Sequence, residues 1–143
     1  MKFTSILAPL FAFALPVISQ TTTQTLSYDP VYDNPSQSLS QVVCSNGSNG
    51  LETKGYETLG ELPNFPYIGG VYTVTGWNSP ACGTCYNVTY GSITISILAV
   101  DVALQGFNVA ETAMNALTDG QAVQLGRINV QATQVDISYC GFN

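Results

Sequence analysis

The sequence predicts a small, mainly β domain with one substantial helix, most simply a barrel or a sandwich. Three observations carry that prediction. Turn signals recur every several residues from Leu26 onward: Asp29-Pro30, Asn34-Pro35, Asn46-Gly47, Asn49-Gly50, Gly69-Gly70, Ser79-Pro80 and Tyr90-Gly91. Between them lie short segments in which apolar and polar residues alternate, the period of half-buried strands. One stretch alone, residues 108–120, carries the longer period of an amphipathic helix.

Taken in order, residues 1–19 read as a cleaved secretory leader. Lys2 gives a positive start, an apolar run occupies residues 6–18, and small Ser19 closes it. The run is too short, and too interrupted by Pro9 and Pro16, to span a membrane. No later apolar stretch approaches that length, so the mature chain is expected to be soluble and extracellular or held in a cell wall. Residues 20–25, QTTTQT, are expected to form a mobile polar tail, and residues 26–143 one domain around one core.

Within that domain, Tyr86, Val88 and Tyr90 share one face of a strand, and Ile93, Ile95 and Ile97 alternate with Thr94 and Ser96. Gly91 sits at the turn of the hairpin that joins them. Asn108 is expected to cap the helix, with Glu111 completing a capping-box-like pair. Ala110, Ala113, Met114 and Leu117 form its apolar stripe, and Gly120 ends it. Ile128, Val130 and Ala132 alternate along a last strand, after which Val135 and Ile137 bracket Asp136. There is no internal repeat and no linker long enough to separate two domains.

Charge excludes several function classes. The 143 residues hold three basic and nine acidic side chains, a net charge of −6, and one of the three basic residues, Lys2, belongs to the leader. Nucleic-acid binding needs clustered Lys and Arg to displace counterions from phosphates, and Lys54 and Arg127 do not supply a cluster. Anionic membranes are poor partners for the same reason. The chain has no histidine, which removes Ser-His-Asp and Cys-His catalysis and every His-ligated metal site. No cofactor and no metal is implied. The wealth of Ser, Thr, Asn, Gln and Tyr suits a neutral polar ligand such as carbohydrate, although the same residues also serve simply to solvate a secreted surface.

Four cysteines, Cys44, Cys82, Cys85 and Cys140, remain to be explained. A structural zinc site takes two close ligand pairs, and only Cys82 and Cys85 are close. A redox Cys-x-x-Cys normally opens a helix whose dipole lowers the thiol pKa, but YNVTYGSITISIL after Cys85 reads as strand. An even count in a small secreted domain points to two disulfides. Pairing Cys82 with Cys85 closes a small strained ring. Either long-range pairing ties the central motif to both ends of the domain, and loops of this length each stabilise a fold by roughly 4 kcal/mol in the chain-entropy model. Spacing alone leaves the two long-range pairings open.

The segments SYDPVYD, VCSNGSNGL, TLGELPNFPYIGG, GWNSPACGTCYNVTY, AVDVALQGFNV and QVDISYC occur in that order. Together with the four cysteines they resemble the cerato-platanin family of small secreted fungal proteins, over about Leu26 to Cys140. The resemblance implies a six-stranded double-ψ β-barrel related to expansins, barwin and family-45 endoglucanases. It implies disulfides joining Cys44 with Cys82 and Cys85 with Cys140. It also implies a shallow groove for chitin-type N-acetylglucosamine oligomers or other wall polysaccharide, loosening without hydrolysis, elicitation of plant defence, and a monomer that self-assembles at interfaces.

Asp101 matches the family's groove aspartate and follows the apolar strand ILAV; the plainer reading is that it bonds backbone amides. Asn108 matches a groove asparagine, besides its expected capping role. Asn46 lies in the tight turn CSNG. Tyr28 and Tyr56 offer rings with an apolar body and a polar tip. Trp77, the single tryptophan, is a possible stacking surface, though its place beside Cys82 and Cys85 favours packing. Arg127 and Asp136 either pair with each other or reach the groove. Glycoside hydrolysis by the usual route needs two carboxylates across the bond, and Asp101 has no sequence neighbour for that role; Asp29, Asp33 and Asp136 are the residues that folding has to bring close.

Two departures from the family pattern matter. Asn78 follows the tryptophan where many relatives carry aspartate. Asn46-Gly47-Ser48 and Asn87-Val88-Thr89 are N-glycosylation sequons, making Asn46 and Asn87 candidate acceptors, and a glycan on Asn46 would obstruct a groove built near CSNG. The expectation is a secreted, non-catalytic carbohydrate-binding protein with no catalytic residue. The alternatives are a surface-active or host-sensed protein with incidental sugar binding and, third, a weak glycoside hydrolase.

Overall fold

The computed structural model describes residues 2, 4–14 and 19–143. Six strands close into a barrel: β1 (Thr21–Tyr28), β2 (Ile68–Val71), β3 (Cys85–Tyr90), β4 (Ile93–Val102), β5 (Phe107–Val109) and β6 (Arg127–Val135). Around the barrel they run β1-β5-β2-β4-β3-β6. The pairs β1–β5 and β2–β4 are parallel and the other four antiparallel, the mixed connectivity of a double-ψ barrel. Helix α1 (Glu111–Thr118) and the short α2 (Ala122–Leu125) lie between β5 and β6.

The period-two segments become strands with the predicted faces inward. Ile128, Val130 and Ala132 of β6 are buried while Arg127, Asn129 and Gln131 are exposed. Gly91 turns the β3–β4 hairpin at φ 59, in the left-handed region that favours glycine. Phe107 is fully buried in the barrel and meets Tyr72 and Tyr86 edge-to-face, with ring centroids 6.0 and 5.6 Å away. Ala110, Ala113, Met114 and Leu117 are buried against the same core.

Two expectations are corrected. Residues 21–25 are not a mobile tail; they form the first half of β1, paired in register from Thr21 opposite Thr133 to Thr25 opposite Asn129. Threonine is β-branched and favours strands, and here its hydroxyls tie the rungs. Thr21 and Thr133 hydroxyls lie 2.6 Å apart, and Gln131 Nε2 donates to Thr23 Oγ1 at 3.0 Å. The polar side chains of residues 21–25 mark an outward strand face, not disorder.

Asn108 does not cap α1, because it lies in β5. The helix begins after Ala110, which has no capping side chain. Its first amides are met instead by Asp33, whose Oδ2 accepts from Glu111 N at 2.7 Å and Oδ1 from Thr112 N at 3.0 Å. A carboxylate at a helix N-terminus satisfies free amides and complements the dipole; this one arrives from a distant segment. At the other end Asp119 adopts φ 54 and Gly120 N–H bonds Asn115 O.

The disulfides are Cys44–Cys82 and Cys85–Cys140, as the resemblance implied. Within the leader, residues 4–14 form neither helix nor strand, and Leu7 and Leu10 are 90% and 100% exposed; residues 15–18 of its apolar run lie outside the described residues. Among the described residues no helix is long and apolar enough to cross a membrane.

Candidate functional site

Register lines up one polar row across five strands. Asp101 of β4 is opposite Gly70 of β2, Gly70 opposite Asn108 of β5, Asn108 opposite Ser27 of β1, and Ser27 opposite Arg127 of β6. Residues opposite one another share a sheet face, so four polar side chains flank one gap at Gly70. The gap is enforced: a Cβ on Gly70 would stand 2.6 Å from the Val102 carbonyl oxygen. A bulge between Gly69 and Gly70 brings Asp101 into the row, because Gly69 is opposite Ala99 and Gly70 opposite Asp101. The neighbouring Gly69 is still tighter, with its Cβ position 2.3 Å from Asn108 O. These two glycines let β4 and β5 close on β2.

A cleft of about 720 Å³ opens along this row. Ser27, Asn108 and Arg127 lie on one side of it, and residues 102–105 supply the other wall. Ser27 Oγ donates to Asn108 Oδ1 at 3.1 Å, and Arg127 Nη1 donates to Thr25 Oγ1 at 3.3 Å. Asn108 therefore keeps its amide N–H groups, and Arg127 most of its donors, for a ligand. On the wall, Leu104 is 98% exposed. Polar groups on the floor beside an apolar rim match a sugar ring, which has hydroxyl edges and an apolar face.

Asp101 is half-buried and largely engaged. Oδ1 accepts from Val43 N at 3.0 Å and from Val102 N at 2.9 Å, and Oδ2 accepts the Tyr32 hydroxyl at 3.0 Å. A carboxylate offers about four acceptor positions, so three are used within the protein and one on Oδ2 remains. Asp101 braces backbone, as the plainer reading expects; it stands in the polar row but is not among the residues that line the cleft. Burial first, then the Asp101 charge and hydrogen bond, hold the Tyr32 phenol above its usual range, with Asp29 adding to the effect. An acid whose folded pKa is raised stabilises fully below its unfolded value, near 10, and loses that contribution as pH rises further. Stability is therefore expected to fall above about pH 10 with a component that Tyr32→Phe removes, measured by urea unfolding across the alkaline range.

The other acids are occupied elsewhere. Asp29 Oδ1 accepts from Val31 N at 3.0 Å, Asp33 caps α1, and Asp136 Oδ1 accepts from Ser138 N at 2.9 Å. Of the three, Asp29 alone is linked to Asp101, through their shared influence on Tyr32. Arg127 reaches the cleft, whereas Asp136 caps the last turn. Among the described residues no group of three His, Cys, Asp or Glu could hold a metal.

The remaining candidates do not join the cleft. Tyr28 and Tyr56 pack against the core, Tyr56 meeting Phe142 edge-to-face at 5.7 Å. Asn46 stands in an exposed turn outside the cleft lining. Trp77 is not packed: it is 64% exposed, and its Nε1 donates to Asn46 Oδ1 at 2.7 Å. Chain proximity to the cysteines does not bury it, because Cys82 turns inward while the loop before it docks on the Asn46 turn. Asn78 joins those loops: at φ 59 its Oδ1 accepts from Asn49 N and its carbonyl from Asn49 Nδ2. Asn87 lies within β3, its Oδ1 accepting the Ser96 hydroxyl at 2.7 Å.

Sequence reasoning missed Ser27, Gly70, Leu104 and Tyr32. Alternation with inward Leu26 gives the face of Ser27 but no role for it, and Tyr32 gives no local signal, because its partner is supplied by the fold.

Comparison with known proteins agrees with this architecture. The family model described as Cerato-platanin matches residues 24–142. The chain is 50% identical over 144 residues to the heat-stable 19 kDa antigen of Coccidioides immitis (strain RS), covering 99% of each. It superimposes on the crystal structure of cerato-platanin 3 from M. perniciosa with a TM-score of 0.82 and 54% identity, over 85% of this chain and 100% of that one. The solution structure of the fungal elicitor Cerato-Platanin gives a TM-score of 0.74 at 45% identity, over 81% and 95%. The barrel, the two disulfides and these matches establish that the chain belongs to the cerato-platanin family.

Proposed function

We propose that the mature chain is a secreted, non-catalytic carbohydrate-binding protein that takes chitin-type N-acetylglucosamine oligomers, or a related wall polysaccharide, in the cleft over Ser27, Asn108 and Arg127. The observation that carries this reading is the row from Asp101 to Arg127, polar but nearly charge-balanced, with its gap at Gly70 and exposed Leu104 on the rim. Neutral sugars are recognised by such convergent donors and acceptors beside apolar surface. The cleft is shallow and open, suited to a chain lying across it.

The placement of the carboxylates supports binding without cleavage. The usual hydrolytic route needs an acid and a second carboxylate acting as base or nucleophile, and Asp29, Asp33 and Asp136 each accept backbone amides at the start of a helix or turn. The positive start and the apolar run over residues 6–18 support secretion. Loosening of wall material, and the elicitor activity named for the solution-structure relative, belong to the same proposal.

Titration of isotope-labelled mature protein with chitin oligomers, and separately with cello-oligomers, tests it. Saturable shifts are expected at Ser27, Asn108 and Arg127. Asn108→Ala is expected to weaken binding by about fivefold to tenfold, the worth of one to two hydrogen bonds, with the fold unchanged. Absence of shifts with either sugar at millimolar concentration would sink the proposal in favour of the surface-active reading. Steady appearance of new reducing ends would instead favour hydrolysis.

A further inference from the structure

We infer that Asn46 is an N-glycosylated residue whose first sugar covers the face of Trp77. The inference rests on the secreted reading in one respect, since the sugar is added along the secretory route. Asn46-Gly47-Ser48 is an acceptor sequence, with Asn46 and Ser48 both exposed. Trp77, the single tryptophan of the chain, is 64% exposed. Its only hydrogen-bond donor, the indole N–H, reaches Asn46 Oδ1 at 2.7 Å. That bond uses the amide oxygen and leaves Nδ2, the atom that carries an N-linked glycan. A glycosylated amide keeps its oxygen, so the contact survives the modification.

The surroundings hold this arrangement still. The turn closes through Gly50 N to Gly47 O at 3.1 Å, and Thr53 Oγ1 donates to the same carbonyl at 2.6 Å. Asn49 is bonded twice to Asn78, the residue after the tryptophan. A Cβ on Gly47 would lie 3.1 Å from Trp77 Cζ2, so glycine at the middle of the sequon lets the ring settle on the turn. The outcome is a broad apolar ring in solvent, fixed beside a modifiable nitrogen. N-acetylglucosamine has an apolar C–H face and amide groups, and suits both. Asn87 differs, because its sequon lies within β3, which is paired to β4 on one side and β6 on the other.

In the transfer, Asn46 Nδ2 bonds to C1 of a polyprenyl-pyrophosphate-linked oligosaccharide. The C1–O bond to pyrophosphate breaks, the polyprenyl pyrophosphate leaves with the electron pair, and one amide proton passes to a base of the transferase. No electron donor or acceptor is required.

The test uses the whole chain with its own leader, expressed in a fungal secretion host and purified from the medium. Peptide mass spectrometry is expected to find N-acetylhexosamine on Asn46. Because Trp77 is the sole tryptophan, its fluorescence reports the contact. Ser48→Ala removes the glycan by abolishing the sequon and keeps the Asn46–Trp77 bond, and relative to the glycosylated protein it is expected to emit further to the red and to be quenched more by acrylamide. Bare Asn46 on the secreted chain overturns the inference alone. Failure of the chain to reach the medium overturns the secreted reading and this inference with it. A glycan whose removal leaves emission and quenching unchanged overturns the covering of the ring, as does an emission shift when chitin oligomers are added to the glycosylated protein.

Discussion

Replacing Cys85 and Cys140 together by alanine is expected to lower the free energy of unfolding by about 2–5 kcal/mol. The bond spans 55 residues and joins the start of β3 to the turn that follows β6. Everything from the β3–β4 hairpin to the last strand lies within that loop, so its loss enlarges the unfolded ensemble most. Urea unfolding of the double variant under non-reducing conditions checks this, and an unchanged midpoint would refute it. The Cys44–Cys82 bond spans 38 residues, and its chain-entropy contribution is similar. Its local consequence differs. Cys44 N–H bonds Val100 O at 3.1 Å, and the preceding Val43 N–H bonds Asp101. Removing this second disulfide frees the segment that braces Asp101, so sugar binding is the property it should disturb first.

Asp101→Ala is expected to cost about 3 kcal/mol of stability, because a buried donor left without an acceptor costs about 1–3 kcal/mol. The hydroxyl of Tyr32, a residue only 5% exposed, is such a donor, and the half-buried amide of Val43 loses its acceptor as well. Asp101→Asn keeps an oxygen for the amides and the shape of the site, and should cost about 1 kcal/mol. The pair separates two roles that alanine alone confuses. A binding defect in Asp101→Ala includes disorder of its surroundings, whereas one in Asp101→Asn reports the carboxylate itself. Unfolding curves and sugar titrations on both variants make the distinction, and equal stability of the wild type and Asp101→Ala would remove the bracing role.

The strands were legible where one face is buried. Ile128, Val130 and Ala132 declare β6 by alternation, and Gly91 declares its hairpin by the turn it must make. Residues 21–25 were not legible, because a threonine strand that turns polar side chains outward looks like solvated coil until its partner β6 is known. The cap of α1 escaped for a related reason. Local reading assigns it to Asn108, and the fold supplies Asp33 from far away in sequence. At the site, Asp101 and Asn108 came from the family resemblance, and the structure sets them on either side of Gly70. Ser27 and Leu104 escaped because a serine in a polar strand and a lone leucine in a loop are common and carry no chemistry until a cleft forms between them. Trp77 was misjudged because sequence adjacency to buried cysteines says nothing about which way a ring turns.

Closure of the barrel has a consequence for how copies of this protein can meet. Every strand has a neighbour on both sides, but β5 covers β1 only over Leu26–Tyr28 and β2 covers β4 only from Leu98 to Val102, so residues 21–25 and 93–97 are paired on one side alone. Backbone pairing between copies is therefore confined to those two short lengths. Elsewhere copies would meet through side chains, among them the exposed Leu104, Val123 and Tyr139. A layer of such copies would be a pavement of largely intact barrels, unlike the cross-β films whose subunits are stitched by their backbones along their whole length.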